Sequence, residues 1–126
     1  MFNKLYAVCL LVDNFEMSLK FYRDTLGLKI KSQENNQFAS FDLEGTEMAI
    51  FQKDGAIAMF PKKFMGVGGG VSLCFQVKDL NRTCDKLIAK GVKIFEGPKT
   101  TPWGQKVAYF QDPDGNIWEI SEPFVE

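Results

Sequence analysis

The stretch Asp112-Pro113-Asp114-Gly115-Asn116-Ile117-Trp118-Glu119-Ile120 opens with the strongest turn signal in the chain. Proline presets φ, glycine accepts positive φ, and Asp and Asn side chains bond their own backbone. The runs Lys106–Phe110 and Ile117–Ser121 flank this turn with strand-like residues, so the pattern predicts a β-hairpin. Because side chains alternate between the faces of a strand, Glu119 is expected to point away from its two apolar neighbours. The hairpin thus places one carboxylate opposite a predicted apolar layer.

Length and composition indicate one ordinary globular domain. The chain has 126 residues, of which 45% are hydrophobic and 25% charged. A formal net charge of −1 gives no electrostatic reason to expect nucleic acid or a membrane as partner. No continuous apolar span and no signal peptide are recognised, so a cytoplasmic protein is expected.

Cysteine and histidine usage narrows the chemistry. The three cysteines (Cys9, Cys74 and Cys84) are an odd number without CxxC spacing, which favours reduced thiols. Histidine is absent, which excludes His-dependent triads, imidazole acid–base catalysis and His-containing metal sites.

The first half of the chain carries a strand–helix–three-strand pattern. Leu5–Val12 is an apolar run suited to a buried strand, and Asp13, with Glu16 three residues later, has the spacing of a capping box. Apolar residues at helical intervals follow and stop at Gly27, a residue type that commonly ends helices. Further strands are predicted at Leu28–Lys31, Phe38–Leu43 and Glu47–Phe51.

The second half repeats this order. Val71–Val77 is predicted as a strand, Asp79 as a helix cap, and Val92–Phe95 as a strand before the last hairpin. The buried face of the second helix is expected to consist of Leu80, Cys84, Leu87 and Ile88.

The two halves also keep a nearly constant spacing. Leu80 lies 65 residues after Phe15, Gly91 lies 64 after Gly27, and Gly115 lies 70 after Gly45. This agreement predicts a tandem βαβββ duplication, with modules at 1–52 and 71–126.

A linker is predicted at 53–70. It contains the apolar residues Met59, Phe60, Phe64 and Met65, which are expected either to pack on the domain surface or a dimer interface, or to form a pocket lid. The run Gly66-Val67-Gly68-Gly69-Gly70 lacks a following Gly-Lys-Ser/Thr, so a flexible connection is favoured over a phosphate loop.

Two segments carry a family resemblance that, with the duplication, covers essentially the whole chain. They are Val12-Asp13 followed by Ser18-Leu19-Lys20-Phe21-Tyr22-Arg23-Asp24-Thr25-Leu26-Gly27-Leu28, and Val107-Ala108-Tyr109-Phe110-Gln111 leading into the hairpin turn. The pattern resembles the vicinal oxygen chelate superfamily, which includes glyoxalase I, extradiol dioxygenases, fosfomycin-resistance enzymes and bleomycin-resistance proteins. The resemblance implies an α+β fold of two βαβββ modules, with curved mixed sheets enclosing a cleft.

The resemblance also identifies where a metal would bind. Metal-dependent members use four cleft-facing side chains, usually His or Glu, and the positions carried over to this sequence are Ala7, Ala49, Ser72 and Glu119. Alanine offers no ligand and serine is a poor one, whereas a transition ion requires three or four protein ligands. The carboxylates Asp42, Glu44 and Glu47 lie near predicted turns. We therefore expect no metal and no cofactor.

Strand alternation predicts the residues that face the cleft. Those expected to contact a ligand are Cys9, Phe38, Ser40, Phe51, Ser72, Cys74, Trp103, Val107, Tyr109 and Glu119. Several of these residues also have a structural interpretation. The cysteines are then inert buried thiols, Tyr109 is a ring that fills space, and Trp103 packs on a partner subunit. Glu119 is either a silent paired carboxylate, an anchor for a cationic ligand, or a general base.

Three function classes remain open. The favoured hypothesis is a metal-independent protein that binds a small aromatic or cationic molecule, similar to the bleomycin- and mitomycin-resistance proteins. The alternative is an enzyme, either a glyoxalase-like lyase or isomerase or a metal-free catalyst with Glu119 as general base. The third class is a structural or regulatory interaction module. By resemblance, we also expect a homodimer.

Overall fold

The computed structural model describes residues 1–3 and 5–123. The chain divides into two compact units, residues 1–66 and 67–126, and the division lies inside the predicted linker. Each unit contains one four-stranded mixed sheet and one helix that follows its first strand. Among the described residues, no helix is long and apolar enough to cross a membrane.

The first unit has the predicted βαβββ order. Its strands are β1 (Ala7–Val12), β2 (Ile30–Glu34), β3 (Phe38–Phe41) and β4 (Glu47–Gln52), and they lie in the order β1-β4-β3-β2. Strand β1 pairs in parallel with β4, and the other pairs are antiparallel. Helix α1 spans Phe15–Leu19 and continues in π-helical turns over Lys20–Thr25. A short helix α2 (Lys53–Ala56) and a 3-10 turn (Lys62–Phe64) follow β4.

The second unit repeats this topology. Its strands are β5 (Ser72–Gln76), β6 (Glu96–Thr100), β7 (Lys106–Gln111) and β8 (Ile117–Ser121), in the order β5-β8-β7-β6. Strand β5 is parallel to β8, and helix α3 (Leu80–Ala89) connects β5 to β6. The predicted fold class, with two βαβββ modules, is confirmed.

One face of each sheet and one face of its helix form the apolar core. The buried residues include Leu10, Val12, Phe15, Tyr22, Phe41 and Ile50 in the first unit, and Leu80, Cys84, Leu87, Phe110, Trp118 and Ile120 in the second. Ile88 was expected on the buried face of α3, but it is 56% exposed, so that expectation was wrong. Ile88 directly follows the buried Leu87, and successive side chains of a helix point about 100° apart, so Ile88 is turned away from the buried face.

Helix α1 begins one residue later than predicted. The N-cap is Asn14, whose side-chain oxygen accepts a hydrogen bond from the Met17 backbone N–H at 3.1 Å. The prediction of Asp13 as the cap was wrong, because its carboxylate pairs instead with Lys53 Nζ at 2.9 Å. Asp and Asn cap helices about equally well, so the local sequence alone does not decide between them.

Strand β6 was also misplaced by the sequence pattern. The prediction was Val92–Phe95, but the strand is Glu96–Thr100. Its pairing with β7 shifts register between Glu96 and Lys99, where Gly97-Pro98 interrupts the ladder. Gly and Pro normally argue against a strand, and a bulge of this kind is the exception that accommodates them.

The π-helical turns of α1 account for an irregularity in the repeat. The spacing between the halves falls from 65 at Tyr22 and Leu87 to 64 at Gly27 and Gly91. The first helix therefore contains one extra residue, and the Leu26 N–H bonds to the Phe21 carbonyl at 2.9 Å, five residues back. A π turn absorbs such an insertion without turning the flanking residues off the core.

Each unit also caps its helix from the end of its last strand. Gln52 Oε1 accepts a hydrogen bond from the Phe15 N–H at 2.7 Å, and Glu122 Oε2 accepts one from the Leu80 N–H at 2.7 Å. Glu122 lies 70 residues after Gln52, the same spacing as the last hairpins. The duplication therefore includes a long-range cap that satisfies an otherwise unpaired helix N–H.

We expect Glu122→Ala to lower the free energy of unfolding by about 1 kcal/mol, because the Leu80 N–H loses a charge-assisted partner at a helix N-terminus. Urea denaturation of both proteins measures this difference. Glu122→Gln is the matched control, since Gln52 performs the same role in the first unit. The role assigned to Glu122 is wrong if the alanine and glutamine variants are equally stable.

The turn of the last hairpin is held by one buried carboxylate. Asp112 is 5% exposed, and it accepts hydrogen bonds from the Asp114 N–H at 3.0 Å, from the Asn116 N–H at 2.8 Å and from Asn116 Nδ2 at 2.8 Å. Gly68 packs on the same turn, where its N–H bonds to the Asp114 carbonyl at 3.0 Å. A Cβ on Gly68 would lie 2.5 Å from the Asn116 backbone nitrogen, so glycine is required for close approach at that position.

Candidate functional site

Glu119 lies in the interior of the second sheet, on β8 between β5 and β7. Its Cα partners are Cys74 on β5 and Tyr109 on β7, so the three side chains share one face of the sheet. Trp118 and Ile120, each 3% exposed, lie on the opposite face, as the hairpin pattern predicted. Together with Ser121, the residues Cys74, Tyr109 and Glu119 form what we call the Glu119 cluster.

The shortest contact in this cluster joins Tyr109 and Glu119. The phenol of Tyr109 donates a hydrogen bond to Glu119 Oε1 at 2.5 Å. This bond is the main reason, followed by burial, that the pKa of Tyr109 rises from its ordinary value of 10 to about 12. The phenol therefore stays protonated at neutral pH and remains a donor to the carboxylate.

Cys74 completes the row on the β5 side. Its sulfur lies 3.3 Å from Ser121 Oγ. The pKa of Cys74 is raised, chiefly by partial burial. The contact with Ser121 lowers this pKa, and the hydrogen bond to Glu119 raises it further. Burial likewise raises the pKa of Cys9 in the first unit. Both residues are therefore neutral thiols at pH 7 and lack the thiolate character of a nucleophile.

Glu119 has no cationic partner among the residues that the structure describes. The ion pairs in the described ranges join Arg23 to Asp24, Lys31 to Glu47, Lys53 to Asp13, and Lys99 to Glu96. Glu96, next to Tyr109 in the same row, is thus paired with Lys99 at 3.3 Å, whereas no cation of the described chain forms an ion pair with Glu119. Within these ranges, the half-buried carboxylate is held by the hydrogen bond from Tyr109 and not by an ion pair.

The predicted site residues of the first unit also share one sheet face. Cys9, Ala49 and Ser40 are neighbours across three strands, and the row ends at Ser32, whose hydroxyl lies 2.5 Å from Ser40 Oγ. One step along the strands, the rings of Phe38 and Phe51 meet edge to face with centroids 5.7 Å apart. These residues belong to the first unit, whereas Glu119 belongs to the second.

The remaining predicted residues differ in accessibility. Ser72 is exposed at the start of β5, and Trp103 is 67% exposed in the loop between β6 and β7. Val107 lies on the Glu119 face but is 0% exposed, so its side chain supports neighbouring residues and offers no surface to a ligand.

The sequence reading missed Ser32, Glu34 and Ser121 on these faces. The predicted first hairpin ended its strand at Lys31, whereas β2 continues to Glu34. Alternation along β8 from Glu119 would have found Ser121. Ser32 and Glu34 follow a register shift between Ile30 and Ser32, so alternation along the predicted strand would not have placed them on this face.

The donor atoms do not fit a transition metal within either unit. Ala7 pairs with Glu47 and Ala49 with Cys9 in the first sheet, while Ser72 pairs with Ile117 and Glu119 with Cys74 in the second. Across residues 1–3 and 5–123, no group of three His, Cys, Asp or Glu side chains is placed to hold an ion. A transition ion would require more donors than Glu119 and Cys74 supply.

Comparison with known proteins agrees with this architecture. A family model described as the Glyoxalase/Bleomycin resistance protein/Dioxygenase superfamily matches residues 4–120. The uncharacterized protein YraH of Bacillus subtilis (strain 168) is 35% identical over 93% of this chain and 96% of its own length. A protein of Synechocystis named "Probable lactoylglutathione lyase" is 29% identical over 86% of this chain and 87% of its own. A crystal structure of a glyoxalase/bleomycin resistance protein/dioxygenase from Nocardioides superposes with a TM-score of 0.83, at 23% identity over 97% of this chain and 84% of that one.

Proposed function

Since the chain belongs to the glyoxalase/bleomycin resistance protein/dioxygenase superfamily, we propose that it is a metal-independent member that binds a small aromatic cation. Glu119 is the anchor of this proposed site, and Tyr109 orients its carboxylate. In this proposal, the protein sequesters its ligand as the drug-binding members of the family do, and does not transform it.

The observation that carries the proposal is the half-buried Glu119 carboxylate without a cationic partner in the described chain. Burial strengthens its attraction for a positive charge, because the surrounding dielectric is lower than that of water. Tyr109 holds Oε1 at 2.5 Å, so the direction of the carboxylate is set before a ligand arrives. The phenol ring adds an aromatic surface in the same row.

The donor set supports metal independence. Of the four positions at which the family's metal-dependent members carry ligands, Ala7 and Ala49 have no donor, and Ser72 offers a neutral hydroxyl. The thiol of Cys74 is held in its protonated form, whereas a metal-bound cysteine must lose its proton. The residues present thus favour charge recognition over chelation.

We expect 1-methylquinolinium, a planar aromatic cation, to raise the melting temperature of the protein, whereas quinoline, its uncharged counterpart at neutral pH, does not. A ligand at 100 times its Kd adds about 2.7 kcal/mol to the free energy of unfolding, which a thermal-shift assay detects readily. Elemental analysis of the native protein accompanies the assay. Equal shifts with both compounds, or stoichiometric nickel or zinc in the protein, would contradict the proposal.

A second candidate function is proton transfer, and the short Tyr109–Glu119 hydrogen bond favours it. A phenol and a carboxylate in direct contact form a donor–acceptor pair that can move a proton to or from a bound carbonyl compound. The relative named "Probable lactoylglutathione lyase" motivates a hemithioacetal as the test substrate. Turnover by metal-free protein that disappears in Glu119→Gln would establish an enzyme with Glu119 as general base.

The resemblance also supports a homodimer as the assembly. Light scattering on a sizing column distinguishes one chain from two directly.

A further inference from the structure

A hollow in the first unit is lined by residues other than those of the Glu119 cluster. It has a volume of about 270 Å³ and is lined by Glu34, Asn35, Gln37, Phe38 and Phe51. This volume is slightly below the range of typical ligand sites, about 300–1,000 Å³, so the hollow suits a single chemical group better than a drug-sized molecule.

The sheet register explains why these side chains converge. Glu34 on β2 is the Cα partner of Phe38 on β3, which in turn is the partner of Phe51 on β4. Residues directly opposite each other project to the same face. A carboxylate and two rings therefore form one row across three strands, with the rings edge to face at 5.7 Å. Asn35 and Gln37, at the hairpin end, complete the lining.

The charge of this hollow comes, among the described residues that line it, from the exposed carboxylate of Glu34. The lysines nearest along the chain and strands are engaged elsewhere: Lys31 Nζ bonds Glu47 Oε1 at 2.6 Å, and Lys53 Nζ bonds Asp13 and the Gly66 carbonyl. Within the described residues, Glu34 forms no ion pair. A negative group beside two aromatic rings attracts a positive group that is large and weakly hydrated, because the ring faces carry negative potential.

Gly55 gives the hollow part of its space. It lies in α2 without a positive φ, yet a Cβ there would stand 2.7 Å from Phe51 Cε1 and 2.9 Å from Gln37 Oε1. Both atoms belong to the ends of side chains that line the hollow. A side chain at 55 would push them out of place, so the absence of a Cβ keeps the ring and the amide where they are.

We propose that this hollow is a binding site for the alkylammonium group of a small organic cation, with Glu34 as the counter-charge and Phe38 and Phe51 as the aromatic walls. The proposal shares with the proposed function only the expectation of a cationic ligand. It concerns other residues in the other unit, and it stands or fails separately.

Choline is the probe, and 3,3-dimethyl-1-butanol, which replaces its nitrogen by carbon, is the neutral control. Titrations of the ¹⁵N-labelled protein are followed by amide chemical shifts. We expect saturable shifts with choline that are confined to residues 34–38 and 51–55, and shifts less than about one-fifth as large with the neutral isostere. Potassium chloride at the same concentration should leave these amides unchanged. Absence of saturable shifts, or equal shifts with the neutral compound or with potassium, overturns the proposal.

Matched variants locate the site. Glu34→Gln should weaken choline binding by at least about fivefold, whereas Glu44→Gln, at an equally exposed carboxylate that does not line the hollow, should not change it. Gly55→Ala adds a better helix former but crowds the hollow, so the protein should fold and bind choline more weakly. Gly66→Ala is its control, because a Cβ at that position meets nothing within 4 Å.

Glu119→Gln should leave choline binding intact, so failure of the Glu119 proposal and failure of this one give different results. Loss of choline binding in Glu119→Gln but not in Glu34→Gln would overturn the assignment to this hollow.

Discussion

Replacement of Asp112 by alanine should lower the free energy of unfolding by about 3 kcal/mol. The carboxylate is buried and accepts three hydrogen bonds of 2.8–3.0 Å from the turn that it opens. Hydrogen bonds to a charged group contribute about 1.5–3 kcal/mol each, and their loss leaves donors in the turn without a partner. Urea denaturation, with the midpoint and slope compared between the two proteins, measures the loss.

Two controls separate this effect from a general loss of charge. Asp112→Asn keeps one acceptor oxygen but places an amide against Asn116 Nδ2, so its stability should fall between those of wild type and Asp112→Ala. Asp85→Asn, on the exposed side of α3, should change stability by less than about 0.5 kcal/mol. A loss below about 1 kcal/mol for Asp112→Ala would show that this carboxylate does not hold the hairpin turn.

Tyr109 should titrate near pH 12. Its phenol donates to Glu119 at 2.5 Å, and ionisation would break that bond and place a second negative charge beside the carboxylate. In Glu119→Gln the charge is gone while an acceptor oxygen remains, so the pKa of Tyr109 should return most of the way to 10. Ultraviolet titration at alkaline pH, with Tyr109→Phe subtracted to isolate its signal, measures both values.

The raised pKa of Tyr109 also makes the free energy of unfolding depend on pH. The pKa of Tyr109 is higher in the folded chain than in the unfolded one, so its contribution is fully present below pH 10 and is lost as the pH rises through about 12. The stability difference between wild type and Tyr109→Phe should therefore be constant from pH 7 to 9 and shrink above pH 10. A pKa of Tyr109 near 10 in wild type would contradict the hydrogen bond to Glu119.

Local patterns were sufficient to predict much of this structure. The hairpin at Asp112–Asn116 and the orientation of Glu119 follow from turn chemistry and from side-chain alternation, both of which act over a few residues. The duplicated topology follows from spacing, and even the one-residue change in that spacing has a structural counterpart in the π-helical turns of α1. That Cys74, Tyr109 and Glu119 share one face of the sheet was predicted in the same way.

Features that depend on distant partners were not predictable. The caps supplied by Gln52 and Glu122 join residues about 40 positions apart, and no local signal marks them. Strand β6 forms despite Gly97-Pro98 because β7 offers partners on both sides of the bulge. That no described residue supplies a counter-ion to Glu119 likewise follows only from the positions of the surrounding charges.

Calorimetric titration of 1-methylquinolinium into wild type and Glu119→Gln tests the central claim most directly. If Glu119 recognises a positive charge, wild type binds the cation, and the variant binds it at least about tenfold more weakly, a loss of about 1.4 kcal/mol or more. Asp85→Asn should bind it as wild type does. Equal affinity in wild type and Glu119→Gln, or no binding to wild type, would contradict the account.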